Sequence, residues 1–442
     1  MKKIISIIIL SLIFSQSGFS QDVLGLKEAI NYALENKATA VKARLDVENS
    51  DYQIKESLSN ALPHISVEGG MTYNALLQKT ALTMNGETMV IEMGRPWQSS
   101  ATVQLNQQLF NMAVFQGLKA AKTTKEFYEI NKELTDEKVI EKVATCYFEV
   151  FRIQSQIKTV EKTIENTSQT RDILQSLYEN GLSKKIDLDR MNVNLNNLSS
   201  QKQQLINSLS KQKNSLKFLI GMDISRNIQL PDDTFEVNSR LALEEGVNYN
   251  QLAEVQVLKK QGELLHLNKQ VIKAKGYPTL SLTANYGYAG LGDKMPVFAG
   301  NHQGVNWSNY SAVGLNLSIP LFTGFNNKAK VQQAQIEIEK NREDLDNTKL
   351  SLALANKNAH KQVKNSLITL HTQEENVKLS KDVLENVENN YKNGLASLTD
   401  LLDAENAYAK AQNNYTDAMM NYKVAEIQLV KAKGKLKTFY TN

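Results

Sequence analysis

Apolar residues recur at heptad spacing along two long stretches of the chain. The clearest series lies in the second half and comprises Val363, Leu370, Val377, Leu384 and Tyr391. Sustained heptad spacing places a narrow apolar seam along a helix, against which a second helix packs lengthwise. The positions between are mostly Asn, Gln, Ser, Thr, Lys and Glu. The pattern therefore predicts long, largely solvated helices that pair along their lengths and do not surround a thick core.

Prolines delimit the same two stretches. Proline lacks an N–H group and clashes with the preceding turn, so it is excluded from helix interiors. The six prolines cluster around residues 63–96 and 278–320, with Pro231 between them, and none lies in 97–230 or 321–442. We predict long helices over 112–179 and 325–392, and shorter helices over 27–61, 184–220, 240–275 and 397–436.

Four other segments alternate between apolar and polar residues with a period of two. They are predicted strands at 64–74, 99–109, 279–289 and 309–321. Each has the roughly 9–11 residues that a tilted strand needs to cross a bilayer. One face is apolar and the other polar, as expected where lipid lies outside and water inside. A half-buried antiparallel sheet in a soluble protein would alternate in the same way, so the pattern alone leaves both open.

Aromatic residues lie near the ends of these strand segments. Such residues are typical of membrane interfaces, where an amphipathic ring sits at the level of the lipid headgroups. We predict this position for Tyr73, Trp97, Tyr286, Tyr288, Trp307 and Tyr310.

The two halves of the chain resemble each other at a nearly constant offset. Gly181 and Gly394 lie 213 positions apart, and Pro63 and Pro278 lie 215 apart. A fixed offset indicates an internal duplication. Each repeat is predicted to contain a helix, two strands, a long helix, a turn and a further helix. The predicted organisation is a signal peptide at 1–20, a first repeat at 21–230, a second repeat at 231–437 and a tail at 438–442.

Four strands are too few for a closed barrel, because known single-chain barrels begin at eight strands. An open sheet edge is not viable in lipid, since its backbone groups would lack partners. A membrane sheet in this chain would therefore require oligomerisation. Two copies would give eight strands that fill their own interior, and three would give twelve, which begin to leave a lumen.

The N-terminus predicts export. Lys2 and Lys3 precede a short apolar run, and Gly18 and Ser20 suit a signal peptidase site; a buried N-terminal strand is the alternative. Without residues 1–20 the formal net charge falls from +4 to +2 through the loss of two lysines. This balance gives no case for a nucleic-acid partner. The single cysteine, Cys146, excludes an intrachain disulfide and is predicted to be a packed thiol.

Candidate chemistry is sparse. None of the five histidines pairs with another at a spacing of three or four residues, and no phosphate-binding glycine loop or Ser/His/Asp arrangement occurs in a supporting context. We therefore expect no enzyme activity, no metal site and no cofactor.

The order and duplication of five segments resemble the TolC-like outer-membrane efflux proteins over about residues 22–437. The segments are "LKEAINYALENK", the proline-led strands "LPHISVEGGMTYN" and "YPTLSLTANYGYA", and the turns "YENGLSKKIDLDR" and "YKNGLASLTDLLD". The resemblance implies a mixed α and β fold. Long antiparallel helical hairpins would form a periplasmic α-barrel, and each chain would add four strands to a trimeric 12-stranded outer-membrane β-barrel.

The same resemblance implies a location and partners. The protein would lie in the outer membrane of a Gram-negative bacterium, in contact with outer-membrane lipid, and extend into the periplasm. As a homotrimer it would be the exit duct of a tripartite efflux system that passes small molecules from a periplasmic adaptor and an inner-membrane pump. An exit duct for type I protein secretion is the alternative, and an exported pore-less coiled-coil structural protein is a further one.

The two turns carry the candidate site residues. Gly181 and Gly394 fit the left-handed position that ends a helix. By the resemblance, these glycines with Leu182 and Leu395 form hairpin tips that contact the adaptor; packing of the leucines within the tip is the alternative.

The resemblance also places Asp400 and Asp403 at the lumen entrance, where threefold symmetry would make two carboxylate rings that favour cations. Ser397 and Asp400 also have capping-box spacing, which is a second interpretation of Asp400. The first copy has Asp187 and Arg190 at these positions. A basic latch that some family members carry two residues after the turn glycine is replaced by Ala396, so it is not expected here.

Overall fold

The computed structural model describes residues 22–84, 86–231, 235, 237, 246–296 and 304–437. The predicted signal peptide and the predicted tail lie outside these residues. The helices are α1 Leu26–Asn36, α2 Ala38–Ser59, α3 Met112–Glu179, α4 Lys185–Ile220, α5 Ala253–Ala274, α6 Asn326–Lys392 and α7 Leu398–Ala432. The strands are β1 Asp22–Val23, β2 His64–Tyr73, β3 Gln78–Met84, β4 Glu87–Met93, β5 Trp97–Phe110, β6 Ile228–Gln229, β7 Thr279–Gly292 and β8 Val305–Ser318.

The helical pattern agrees closely with the heptad spacing. Helices α3 and α6 span 68 and 67 residues. The heptad positions Val363, Leu370 and Leu384 are buried, and the first two pack against Tyr422 and Leu429 of α7. The seam predicted from the sequence is therefore the one that pairs these two helices.

Three of the shorter helices differ from their predicted bounds, and the helix predicted over 397–436 ends at Ala432. The helix predicted over 27–61 is divided between α1 and α2 at Lys37, whose backbone is extended. At this break the Lys37 ammonium donates to the Phe218 carbonyl at 2.7 Å. In the segment predicted over 240–275, a 3₁₀ turn at Tyr249–Gln251 precedes α5.

The chain divides into two compact units. Among the described residues, a sheet unit comprises those within 46–129 and 257–345, and a tip unit comprises those within 22–45, 130–256 and 346–437. Each unit contains segments from both halves of the chain. The units therefore do not coincide with the predicted repeats, because equivalent elements of the two repeats pack together inside each unit.

The main sheet of the sheet unit is antiparallel and has the order β2-β5-β7-β8. The central pairing of β5 with β7 joins the two repeats. The last strand ends at Ser318 and not at residue 321, since Pro320 has no N–H to donate to a ladder. A separate hairpin of β3 and β4, which the sequence reasoning missed, turns at Gly86 with a φ of 84°.

The sheet has one apolar and one polar face. Directly paired residues share a face, and the register aligns Val67, Val103, Tyr286 and Ser311 across the four strands. Neighbours along the strands extend this row into an apolar face of Ile65, Met71, Leu105, Leu282, Ala284, Val313, Leu315 and Leu317. These side chains are mostly exposed, reaching 71% at Val67 and 76% at Val313. The opposite face carries Ser, Thr, Asn, Gln and Glu side chains.

The tip unit has a conventional core. Tyr147 and Phe148 of α3 are buried among residues of α1, α4 and α7, including Ile30, Ile220 and Ile427. Cys146 lies beside them, and burial raises the pKa of its thiol to about 11. The prediction of a packed thiol is therefore confirmed.

Candidate functional site

The two hairpin tips have the same backbone geometry. In the first, the Leu182 N–H donates to the Leu177 carbonyl at 2.8 Å, and Gly181 has a φ of 74°. In the second, the Leu395 N–H donates to the Asn390 carbonyl at 2.8 Å, and Gly394 has a φ of 75°. This bond pattern closes a helix around a left-handed residue, which glycine adopts without strain. The duplicated motif is thus a duplicated helix ending.

The tips differ at the start of the following helix. Ser397 caps α7, because its hydroxyl accepts from the Asp400 N–H at 3.2 Å, and its own N–H donates to the Asp400 carboxylate at 2.9 Å. The hydrogen bond from the Ser397 hydroxyl, followed by that from its N–H, lowers the pKa of the Asp400 carboxyl. At the first tip, Lys184 precedes α4 and supplies no side-chain cap. Asp400 is therefore a capping residue whose side chain remains exposed.

The turn leucines do not pack within the tips. Leu182 is 76% exposed and Leu395 is 79% exposed. The two leucines thus occupy equivalent, largely exposed positions on the two turns.

A cavity of about 960 Å³ opens beside the tips. Gly181 and Leu182 of the first tip and Gly394 of the second line it. Its walls come from the end of α3, the end of α6 and the start of α7, and they include Ile173, Leu174, Leu177, Tyr391 and Leu401. The arrangement is a groove of mixed apolar and polar character between the two hairpins, with both turns at its rim.

A buried carboxyl lies in this groove. Glu405 is 6% exposed and accepts a hydrogen bond of 3.1 Å from the Thr167 hydroxyl. Burial raises the pKa of the Glu405 carboxyl, and the nearby Glu388 adds to the effect. The sequence reasoning missed this residue, although a signal was present. Glu405 follows Leu398 by seven positions and Leu401 by four, so it occupies an apolar heptad position.

Asp403 lies in a second cavity of about 600 Å³ between α4 and α7. Arg190 and Asp189 of the first repeat line the same cavity. Arg190 donates to the Thr399 hydroxyl at 3.4 Å. Asp403 is exposed, and within the described part of the chain no ion pair involves it. The structure thus brings together the acid of the second repeat and the arginine that replaces it in the first.

Five of the six predicted interface aromatics lie on the apolar face of the sheet. Tyr73 stacks on Trp97 with ring centroids 4.8 Å apart, and Tyr288 stacks on Trp307 at 5.8 Å. Four of them lie toward the end of the sheet where Tyr73 pairs with Trp97, and Tyr286 lies mid-strand opposite Val103. The sixth, Tyr310, lies on the other face of the sheet.

Tyr310 lies on the polar face. Its register partner is Gly287, and its hydroxyl lies 2.6 Å from the Thr102 hydroxyl. Its ring covers Gly287, where an added Cβ would come within 2.4 Å of it. The Tyr310 ring therefore fills the space over a glycine on the polar face and is not among the aromatic residues of the apolar face.

A second apolar group at the opposite end of the sheet was missed by the sequence reasoning. Phe110 and Phe115 lie 6.5 Å apart, and Phe322 and Phe325 lie 5.5 Å apart. These rings and Leu321 are exposed. An irregularity after Gln108 aligns Phe110 with Leu280 of the apolar face. The available signal was the duplicated "LF" dipeptide at 109–110 and 321–322.

Within the described residues, no helix is both long enough and apolar enough to cross a membrane. No group of three His, Cys, Asp or Glu side chains in those residues could hold a metal ion.

The duplicated hairpins and the four-stranded sheet accompany a match to a known protein family. The model of the outer membrane efflux protein family matches residues 29–222 and 265–435, which is most of the chain. The chain belongs to the outer membrane efflux protein family. Members of the outer membrane efflux protein family are outer-membrane channels that serve transport, and this location and class apply here.

Sequence relatives within the outer membrane efflux protein family extend the match to nearly full length. The outer membrane protein TolC of Vibrio cholerae is 23% identical over 415 residues, covering 93% of this chain and 91% of the relative. The outer membrane protein TolC of Escherichia coli is 21% identical and covers 99% of this chain and 87% of the relative.

Solved structures share the fold. The outer membrane protein VceC of Vibrio cholerae has a TM-score of 0.72 at 17% identity, covering 92% of this chain and 96% of that one. The CmeC outer membrane channel of Campylobacter jejuni has a TM-score of 0.73 at 16% identity, covering 93% and 85%. At such identities the likeness supports the fold of the outer membrane efflux protein family.

Proposed function

We propose that the protein is the exit duct of a tripartite efflux system and works as a homotrimer. Small molecules would pass from a periplasmic adaptor and an inner-membrane pump through its lumen to the exterior. The protein itself would carry out no covalent chemistry. The observation that carries the proposal is a four-stranded sheet with one exposed apolar face and two free edges.

The free edges support the trimer. Among the described strands, β2 and β8 each pair on one side only. In lipid, unpaired backbone groups cost several kcal/mol each, so these edges need strands from other copies. Three copies supply twelve strands, which is enough to leave a lumen. Pairing of β2 with β8 of the next copy would keep every neighbour antiparallel.

The dimensions of the sheet suit a bilayer. Strand β5 runs 14 residues from Trp97 to Phe110, and aromatic residues mark both ends. With a rise of about 3.3 Å per residue and a tilt of about 40°, it covers about 33 Å along the membrane normal, close to the ~30 Å hydrocarbon core. The exposed apolar face would then contact lipid, and the polar face would line the lumen.

The hairpin tips supply the adaptor contact. Leu182 and Leu395 are exposed apolar side chains on turns of equal geometry, and a groove with a partly apolar lining opens beside them. A helical hairpin of a partner could place apolar side chains in this groove and meet the leucines at its rim.

The start of α7 supplies the lumen entrance. Asp400 and Asp403 lie three positions apart on one helix, so their side chains share a face. In a trimer they would form two rings of three carboxylates, which attract cations. The capping role of Asp400 does not conflict with this, since its carboxylate stays exposed.

Planar-bilayer recording tests the proposal. The purified protein should elute as a trimer and give discrete, uniform conductance steps. A water-soluble monomer that gives no channels would refute the exit duct and favour a structural coiled-coil protein.

A second measurement tests the adaptor contact. Leu182→Asp combined with Leu395→Asp should leave conductance unchanged and abolish co-purification of a periplasmic adaptor. Undiminished co-purification would remove the tips from the docking surface.

A further inference from the structure

A cavity in the tip unit, away from the hairpin tips, combines basic and apolar walls. It has a volume of about 370 Å³ and lies where the junction of α1 and α2, the middle of α3 and the end of α4 meet. Its lining consists of Lys37, Thr39, Thr135, Lys138, Val139, Lys142, Val143, Phe218 and Leu219. Among these described lining residues, three are basic and none is acidic. We propose that this cavity binds a small amphiphilic anion, a carboxylate with one short apolar tail.

The rim is cationic and largely uncompensated. Lys138 and Lys142 are exposed and lie one turn apart on α3, and neither forms an ion pair within the described part of the chain. Like charges at this spacing destabilise a helix. Of the acids on this part of α3, Asp136 pairs with Lys132 at 2.8 Å, Glu141 pairs with Lys431 at 2.8 Å, and Glu137 is buried away from the rim surface. An anion at the rim would relieve this repulsion.

The third lysine is held in place. The Lys37 ammonium donates to the Phe218 carbonyl at 2.7 Å and lies 3.7 Å from the centroid of the Phe218 ring. Its charge is therefore fixed at the cavity without a carboxylate partner. Thr39 adds a hydroxyl group at the same rim, whereas the Thr135 hydroxyl donates to the Asn131 carbonyl at 2.8 Å.

The walls behind the rim are apolar. Val139 and Val143 are buried, and they follow Lys138 and Lys142 by one position each on α3. Phe218 is 66% exposed although it lies at the end of a packed helix. A cation-rimmed pocket with such walls matches an anionic head on an apolar tail. A volume near the lower end of small-molecule pockets admits one short tail and not a two-chain lipid.

Calorimetric titration of octanoate into the full protein in nanodiscs of zwitterionic lipid tests this site, with empty nanodiscs as the baseline. Octanoate should bind saturably, one per chain, with a Kd of about 1 mM. Acetate, which lacks the tail, and octyltrimethylammonium, which reverses the charge, should not bind. No saturable binding of octanoate, or equal binding of octyltrimethylammonium, would overturn the proposal.

Variants locate the binding. Lys138→Gln with Lys142→Gln should weaken octanoate about tenfold, since two charge-assisted contacts are lost. The matched control is Lys119→Gln with Lys122→Gln, two exposed lysines on the same helix in the sheet unit, which should stay within about twofold.

Phe218→Ser removes an apolar wall, keeps every lysine, and should also weaken octanoate while leaving acetate unbound. An unchanged Kd in both the Lys138/Lys142 variant and Phe218→Ser would place the bound octanoate elsewhere and refute the site.

Discussion

Two glycines with the same backbone conformation provide a sharp test of how the tip unit is held together. Gly221 and Gly394 both follow a helix and have φ values of 77° and 75°. A Cβ at Gly394 would meet nothing within 4 Å. A Cβ at Gly221 would lie 2.7 Å from the Asn36 carbonyl oxygen and 3.0 Å from the Lys37 nitrogen. Alanine at Gly394 would therefore introduce only the strain of a left-handed backbone conformation. Alanine at Gly221 would introduce the same strain and also a collision with backbone atoms.

The magnitudes follow from these contacts. A left-handed alanine costs about 1 kcal/mol, which applies to both positions. The collision at Gly221 adds about 1–3 kcal/mol, because both partners are backbone atoms within a packed unit and cannot rotate away. Local opening free energy should thus fall by about 1 kcal/mol in Gly394→Ala and by about 2–4 kcal/mol in Gly221→Ala.

Amide hydrogen exchange resolves the difference site by site. The reporter at the second tip is the Leu395 amide, which donates to Asn390, and the reporters at Gly221 are the amides of Met222 and Lys37. We expect about fivefold faster exchange at Leu395 in Gly394→Ala and at least about thirtyfold faster exchange at the Gly221 reporters in Gly221→Ala. Equal acceleration in the two variants would refute the close packing of Gly221 against α1.

Three further predictions concern helix capping, pH and conduction. Ser397→Ala should lower the local stability at the start of α7 by about 1 kcal/mol, measured as faster exchange of the first amides of that helix. Burial, followed by Glu254, raises the pKa of the Glu137 carboxyl from 4.5 to about 7, so folding stability should fall as pH rises from about 4.5 to 7. Glu137→Gln should therefore raise the thermal midpoint at pH 8 and leave it nearly unchanged at pH 4; an equal shift at both would contradict this. Asp403→Asn should reduce cation selectivity in bilayers while Asp189→Asn, on the first repeat, changes it less; the reverse order would count against the entrance assignment.

The periodicity of the apolar residues predicts most of the helices and strands of the fold. The heptads and the absence of proline define α3 and α6 to within a few residues, because a seam of paired helices must follow the repeat of the apolar positions. The break at Lys37 could not be read from the sequence. No proline or glycine marks it, and the contact that Lys37 makes there is with Phe218, 181 positions away.

The candidate site, too, could be predicted from the sequence only in part. The turn glycines follow from local chemistry, and Gly181 and Gly394 have the left-handed conformation expected of them. The prediction for the aromatic residues rested on their position near the strand ends and did not distinguish the face on which Tyr310 lies. Glu405 looks like an ordinary surface acid unless its place in the heptad is counted. The second apolar group, which includes Phe110 and Phe322, was missed because its position depends on where the strands end.

The equal geometry of the two turns has a consequence for stoichiometry. In a trimer, six tips would be related by approximate sixfold symmetry, since Gly181 and Gly394 close their helices in the same way. The helix starts that follow the turns would alternate around this ring. Those of the second repeat are capped and bear Asp403, and those of the first repeat are uncapped and bear Arg190. A partner that recognises backbone shape would meet six equivalent positions, whereas one that recognises charge would meet three.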